Sequence, residues 1–474
     1  MVYSILRYKL IKRLIIRIKP AQMSMKSALL LILAIGSVAV TAILFLPDDE
    51  LGLKFSERFE WDERVEAASG DAYMGPWRMN DSDFRLVDDP AVSLNDDGAA
   101  AVVWADQEKQ NIFMQIYEPN GEKRFNEPVN VSNNPGIFSW LPRAIISSDN
   151  PEHVYVLWQE IVFSGGSHGG EIFFARSVDG GQTFNGPLNL SNSKAGAGKG
   201  RFTPQRWFNG NLDLAKSENG ALYAAWTEYE GALWFSRSTD NGESFSEPKL
   251  AGGSDEIPAR APSIAAGRDG NVYLAWSAGE GHQADIRFAK SGDYGQNFDQ
   301  PVDVLQSDGH SDAPRFVVDS NETIHLVYSE SPNGLWNSYH IRYSKSNAGT
   351  GSFEESKRIS GPETGQVQSS AYPVLRIDGG DNLYVLWELF PELGRRSRGL
   401  GITMSDNGGD AFYPPEAVDG SVEPGLGFNG SRQGMLMNKL DVNSRGDIAV
   451  VNSTFSWGNS SHIWLFRGKF SGGP

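Results

Sequence analysis

The chain has 474 residues, a formal net charge of −17, no cysteine and seven histidines. Disulfides, thiol nucleophiles and cysteine-ligated zinc are excluded, and the scattered histidines show no metal-ligand spacing. Residues 1–26 carry seven Lys/Arg and no acid, so the remainder stands near −24, seven below the total; a body this acidic is unsuited to general nucleic-acid binding, which needs a basic face.

In chain order, residues 1–26 read as a basic cytoplasmic segment. Residues 27–47, SALLLILAIGSVAVTAILFLP, carry no charge and have about the length of a membrane-crossing helix. Basic residues precede them and Asp48, Asp49 and Glu50 follow, which places the amino terminus in the cytoplasm and the body outside. An uncleaved signal anchor is favoured, because apolar residues run on past Ala42 to Leu46. The alternative is a cleaved signal peptide that starts at Met23 or Met25 and ends near Ala39 or Ala42, giving a secreted or periplasmic body. Residues 48–84 read as a linker and amino-terminal extension.

From residue 85 the chain repeats. A short apolar run ending in an aromatic recurs at 99–104, 153–158, 221–226, 271–276, 323–328 and 382–387, with Pro90, Pro262, Pro314 and Pro373 at a fixed distance upstream. A second run (171–176, 232–237, 285–290, 340–345) leads into a turn of fixed spacing, and a short strand-like piece such as 186–190 follows it. That turn reads Ser177-x-Asp179-x-Gly181-x-x-Phe184, then Ser238-x-Asp240-x-Gly242-x-x-Phe245, then Ser291-x-Asp293-x-Gly295-x-x-Phe298; worn copies span 346–353 and 405–412. An Asp bonds the backbone two residues on and Gly takes a positive φ without strain. Asp179, Asp240 and Asp293 are therefore expected to be structural, and the Phe an anchor.

Each unit is thus a four-stranded antiparallel meander, A to D, and units that cannot bury both faces alone close into a β-propeller. With 52 Gly and 24 Pro as punctuation, and 13 Trp and 25 Phe for a core, an all-β propeller is expected, seven-bladed with six as the alternative. A weaker seventh unit near 440–466 lacks the aromatic, the Asp turn and a clear fourth strand. A strand around 83–87 is expected to complete it.

The repeated S-x-D-x-G-x-x-F turn, following strands such as 285–290, resembles the Asp-box, or BNR, repeat of the sialidase superfamily, over roughly residues 85–470. Strand parity puts these turns on one face of the disc and the B–C loops and D-to-A crossovers on the other. On that second face an acid recurs after the strand-B aromatic: Asp106, Glu160, Glu228, Glu330, with Glu280 and Glu388 displaced. Arg143, Arg201, Arg206, Arg260, His310, Asp312, Arg315, Tyr372 and Arg432 gather near the starts of strands A. The resemblance implies a glycan or glycoconjugate substrate bearing a carboxylate. It implies a clamp from Arg260, Arg315 and Arg432, with Arg143 and Arg206 on the same rim. Tyr372 would be the nucleophile, and Glu388, Glu330 or Asp106 the acid–base group. No cofactor and no metal are expected; Asp406-Asn407-Gly408-Gly409-Asp410 lacks a full oxygen-ligand spacing. The superfamily's early Arg-Ile-Pro signature is absent, Phe84-Arg85-Leu86 being nearest. This motivates the alternative of a non-catalytic, membrane-tethered propeller that binds a protein or glycan partner.

Overall fold

The computed structural model describes residues 57–472 apart from 163–168, 306, 308, 347–351, 362–366, 423–426 and 430–435. The amino-terminal segment 1–26, the apolar stretch 27–47, Arg432 and much of the 346–353 turn lie outside the described residues. Among the described residues no helix is long and apolar enough to cross a membrane.

Six four-stranded antiparallel sheets follow one another, each in the order A-B-C-D, and a seventh closes the ring. The innermost strands A are Val87–Leu94, Ser139–Ile146, Leu212–Lys216, Ala259–Ala266, His310–Val318, Ser369–Ile377 and Leu440–Val442, and strands A of successive blades pack against one another around the axis. The expected seven blades are present. Strand B carries the core: Trp158, Trp226, Trp276 and Trp387 have less than 2% of their surface exposed. Each indole buries about 150–250 Å², worth roughly 4–6 kcal/mol at 25 cal/mol per Å². The facing strand C makes room for one of them. A Cβ on Gly401 would stand 2.6 Å from the Trp387 ring.

Blade 7 is built from both ends of the described chain. Its strands B and C are Asp447–Ser456 and Ser460–Phe470, and Phe59–Trp61 and Val65–Gly70 pair with the outer edge of the latter. The expected donor at 83–87 is corrected here. Val87 instead begins strand A of blade 1, buried along its whole length, while the open edge at 460–470 takes strands from further upstream. Two hairpins stand outside the blades: Tyr73–Met74 with Phe84–Arg85, and Lys199–Thr203 with Arg206–Asn209.

The S-x-D turns join strands C and D. In the first clear copy Ser177 Oγ donates to Asp179 Oδ1 (2.7 Å), Gly181 N–H donates to Ser177 Oγ (2.9 Å), and Thr183 bonds both carboxylate oxygens through its N–H (2.9 Å) and hydroxyl (2.6 Å). Asp240 and Asp293 repeat this geometry. Burial opposes ionisation of Asp240, but the bonds from Ser244 and Ser238 win and hold its carboxyl down at about 2. Each of the three carboxylates is bonded within its own turn. The Phe anchors reach further than their own turn. Phe245 packs edge-on to Phe174 of the preceding blade, Phe298 to Phe235, and Phe412 to Tyr343. Arg176 and Arg237 donate across the same seams to the main-chain oxygens of Asn241 and Tyr294.

Candidate functional site

The axial mouth on the B–C face is shaped by a repeated irregularity. In five blades strand A carries a bulge whose first residue has positive φ and precedes a proline: Asp89 (54°), Leu141 (58°), Ala261 (46°), Ala313 (54°) and Tyr372 (58°). Proline has no N–H to donate to the ladder, so it suits a bulge. Side chains of the preceding blade hold the bulge N–H: Asn211 Oδ1 that of Ala261 (2.6 Å), Ser277 Oγ that of Ala313 (3.1 Å), Ser329 Oγ that of Tyr372 (2.8 Å). Positive φ is costly for a non-glycine residue, about 1–3 kcal/mol, and re-aims the side chain. In four blades the re-aimed group is Asp, Leu or Ala. In blade 6 it is a tyrosine.

Around Tyr372 lie Arg260, Asp312, Glu388 and Tyr339, with His310 against Arg260 and Tyr339. Arg260 Nη2 contacts Asp312 Oδ1 at 3.3 Å and His310 Nε2 at 3.5 Å, Nη1 donates to the Gly279 carbonyl, and the guanidinium stacks on Phe202 at 4.5 Å. Ser277 Oγ donates to Asp312 Oδ1 at 2.6 Å. Burial would raise the Asp312 carboxyl, but Arg260 and His310 keep it below its ordinary range. Burial pulls His310 down to about 4, with Arg260 acting the same way against Asp312, so the imidazole is neutral at pH 7.

The tautomer follows from donor rules. A guanidinium only donates, so Nε2 of His310 is the acceptor and Nδ1 carries the proton. Nδ1 lies 3.0 Å from the Tyr339 oxygen, which therefore accepts from it; the Trp336 main chain bonds the same oxygen. The Tyr339 proton is left to donate elsewhere. Burial, then the charge of Asp312, raises both the Tyr339 and Tyr372 phenols. Both are held as proton donors rather than phenolates at neutral pH.

The other residues singled out in the sequence are placed as follows. Arg143 and Arg315, buried on the axis, both donate to the Leu436 carbonyl (2.9 and 2.8 Å) and to main-chain oxygens such as those of Pro142 and Pro314, and Arg143 also reaches Met437 Sδ at 3.1 Å and the Asp213 carboxylate at 4.0 Å. They pin the segment 436–439 across the axis rather than join Arg260 at the mouth. Arg206 is exposed on the 199–209 hairpin, 4.7 Å over the Trp336 ring. Glu388 pairs with Lys439 of blade 7, both buried, and accepts from Asn429 Nδ2 at 3.4 Å. Asp106 bonds Lys109 (2.8 Å) and Glu330 bonds Arg342 (3.1 Å) at the ends of their own blades. Glu160 takes the Trp158 indole N–H at 2.9 Å. Strand alternation separates these acids: Glu388 is one residue past its aromatic and the others two, so they leave opposite faces of their sheets.

Tyr339, Ser277, Ser329 and Lys439 carry no repeat or motif that singles them out in the sequence. The rim aromatics were equally hidden. Among the described residues four tryptophans are exposed: Trp77 (47%), Trp207 (37%), Trp336 (51%) and Trp457 (65%). All four lie on the B–C face, in the hairpin before blade 1, the crossover from blade 2 to 3, and the B–C loops of blades 5 and 7. Parity could have found them, since each stands in a B–C loop or ahead of a strand A. Among the described residues no group of three His, Asp or Glu is placed to hold a metal ion.

No family model and no curated protein matches the chain. Solved structures resemble it at low identity. A protein of unknown function from Dyadobacter fermentans is 11% identical, with 86% of this chain and 99% of that one covered, at a TM-score of 0.46. A Hadza microbial sialidase is 14% identical over 64% and 63%, TM-score 0.43. An α-L-arabinanase of Penicillium chrysogenum complexed with arabinobiose is 13% identical over 85% and 98%, TM-score 0.44. The assignment to a seven-bladed propeller stands on the chain's own strand order.

Proposed function

We propose that the protein acts on glycans through the B–C face of the propeller. The observation that carries this reading is the placement on that face of every tryptophan exposed among the described residues. An indole offers a flat apolar surface with a polar edge, which complements the C–H face of a sugar ring. The concave mouth adds directional groups: the Tyr339 hydroxyl as donor, Tyr372 beside it, and Arg206 as the exposed cation for an acid group. In the finer reading, hydrolysis of an acidic sugar in the sialidase manner, the Tyr372 oxygen attacks the anomeric carbon and gives its proton to Asp312 or Glu388, whose charges face it. The glycosidic C–O bond breaks as its oxygen takes a proton from Tyr339, held by His310. Water then adds to the anomeric carbon, returns a proton to Tyr339 and releases Tyr372, which recovers its own. The body is proposed to face the outside, tethered by residues 27–47.

Purified protein incubated with sialosides and a panel of other acidic glycans is expected to bind at least one of them. Trp336→Ala should weaken that binding tenfold or more, and Tyr372→Phe should abolish turnover while sparing binding. Absence of both binding and turnover across the panel overturns the reading. A non-catalytic glycan binder is the second reading, favoured by the pairing of Arg260 with Asp312 and of Glu388 with Lys439; binding with no turnover on any glycan would select it.

A further inference from the structure

The rim aromatics do not form one patch. Trp77 is stacked on Trp140 of blade 2 (5.5 Å between centroids, 12° between planes). Trp336 stands on blade 5, against Phe202 at 6.2 Å and under Arg206. Trp457 stands on blade 7, packed on Phe455 at 5.7 Å, and the neighbouring crossover presents Phe428 under Arg398 at 4.9 Å. Blades 2 and 5 are three steps apart on a ring of seven, which is nearly across it. With packed sheets about 10 Å apart, such a ring separates them by about 20 Å, wider than any monosaccharide. One sugar can therefore touch one station only.

Charge distinguishes the stations. Among the described residues neither Arg206 nor Arg398 has a carboxylate within ion-pair distance, whereas Arg201 is tied to Asp255 and Glu280 and Arg260 to Asp312. In a chain of net charge −17, these two guanidinium groups lie on exposed rings without a carboxylate partner. Each such pair offers an apolar plane and a bidentate anion donor at one point.

We infer that the mouth takes internal stretches of an extended anionic polysaccharide, laid from the Trp77 side to the Trp336 side, rather than a single terminal sugar. This deepens the glycan reading and rests on it. A chain engaging a second station does so at high effective concentration, so affinity climbs with length without any stronger contact.

The test is calorimetric binding of the full-length protein to a polyuronate and to its size-fractionated oligomers, with a neutral β-glucan series alongside. The dissociation constant is expected to fall at least tenfold between the disaccharide and the octasaccharide. Trp77→Ala should remove most of that gain, and the neutral series should bind more weakly at every length. Equal affinity for disaccharide and polymer, or equal losses at both lengths in Trp77→Ala, overturns the extended mode while leaving glycan binding standing. Equal binding of the neutral series overturns the anionic assignment. No binding at any length of either series removes the underlying reading as well.

Discussion

The two faces of the disc are made by the same strands and obey different rules. On the turn face, blades 2 to 4 repeat one set of bonds, and Phe and Arg side chains cross the seams between them. On the mouth face, the repeated element is a costly one, a positive-φ residue before proline, and each blade uses it differently. Asn211, Ser277 and Ser329 do the same task with different atoms, and Glu388 answers Lys439 where blades 2 to 5 place Gln159, Thr227, Ser277 and Ser329. Repetition satisfies its polar groups within the turn itself. Variation leaves Tyr339 with a spare proton and Trp336 with an open ring.

Substitutions should separate the faces. The largest effect is expected at Glu388. Truncation to Ala strands the buried Lys439 ammonium and should cost about 3–5 kcal/mol, read as a fall in Tm. Glu388→Leu with Lys439→Met should recover most of it. A stable double variant that has lost turnover would move Glu388 from inter-blade anchor to reacting group.

Next comes acid sensitivity at the mouth. His310 has a folded pKa of about 4 against about 6.5 unfolded. Its contribution is fully present above pH 6.5 and is lost as pH falls toward 4, because the unfolded chain takes up the proton first. The loss should be about 3 kcal/mol at 1.36 kcal/mol per unit. His310→Asn, which has no such proton to bind, should flatten denaturation midpoints between pH 6.5 and 4; an unchanged slope would contradict the buried neutral imidazole.

On the turn face, Phe298→Ala should cost about 2 kcal/mol, less than a fully buried Phe because this one is half-buried. Glycan affinity should not change. The smallest effect is a gain. The blade 6 turn keeps the geometry with Asn407 in place of Asp, and Ala411 where other copies carry a hydroxyl or an amide. Asn407→Asp with Ala411→Ser restores a charge-assisted bond and should add about 0.5–1 kcal/mol, detectable as a higher denaturant midpoint with no change at the mouth.

The repeating half of the molecule was legible in the sequence because its bonds are local. Ser177, Asp179, Gly181 and Thr183 interact within seven residues, so spacing alone specifies them. The buried tryptophans of strands B were legible for the same reason. What escaped depends on partners far along the chain. Arg143 and Arg315 look like free rim arginines in sequence, because the segment 436–439 that they hold on the axis lies more than a hundred residues away. Lys439 is unremarkable without Glu388, which faces it from the neighbouring blade. The 199–209 hairpin breaks the period of the repeat; parity still puts Arg206 and Trp207 on the mouth face, but not the seating of Arg206 on Trp336. Alternation was the unused signal, since counting from the strand-B aromatic already separates Glu388 from Asp106 and Glu330.

The seventh blade sets a condition on biosynthesis. Phe59 pairs with Phe470, so the strands made first wait for those made last. At about 5–20 residues per second that delay is roughly 20–80 s, during which 59–70 has no strand to join and blade 1 has no neighbour on one side. Open strand edges recruit other chains, and pairings this distant form slowly. Ring closure, rather than the folding of any blade, is the step at which a growing chain is most exposed to its neighbours.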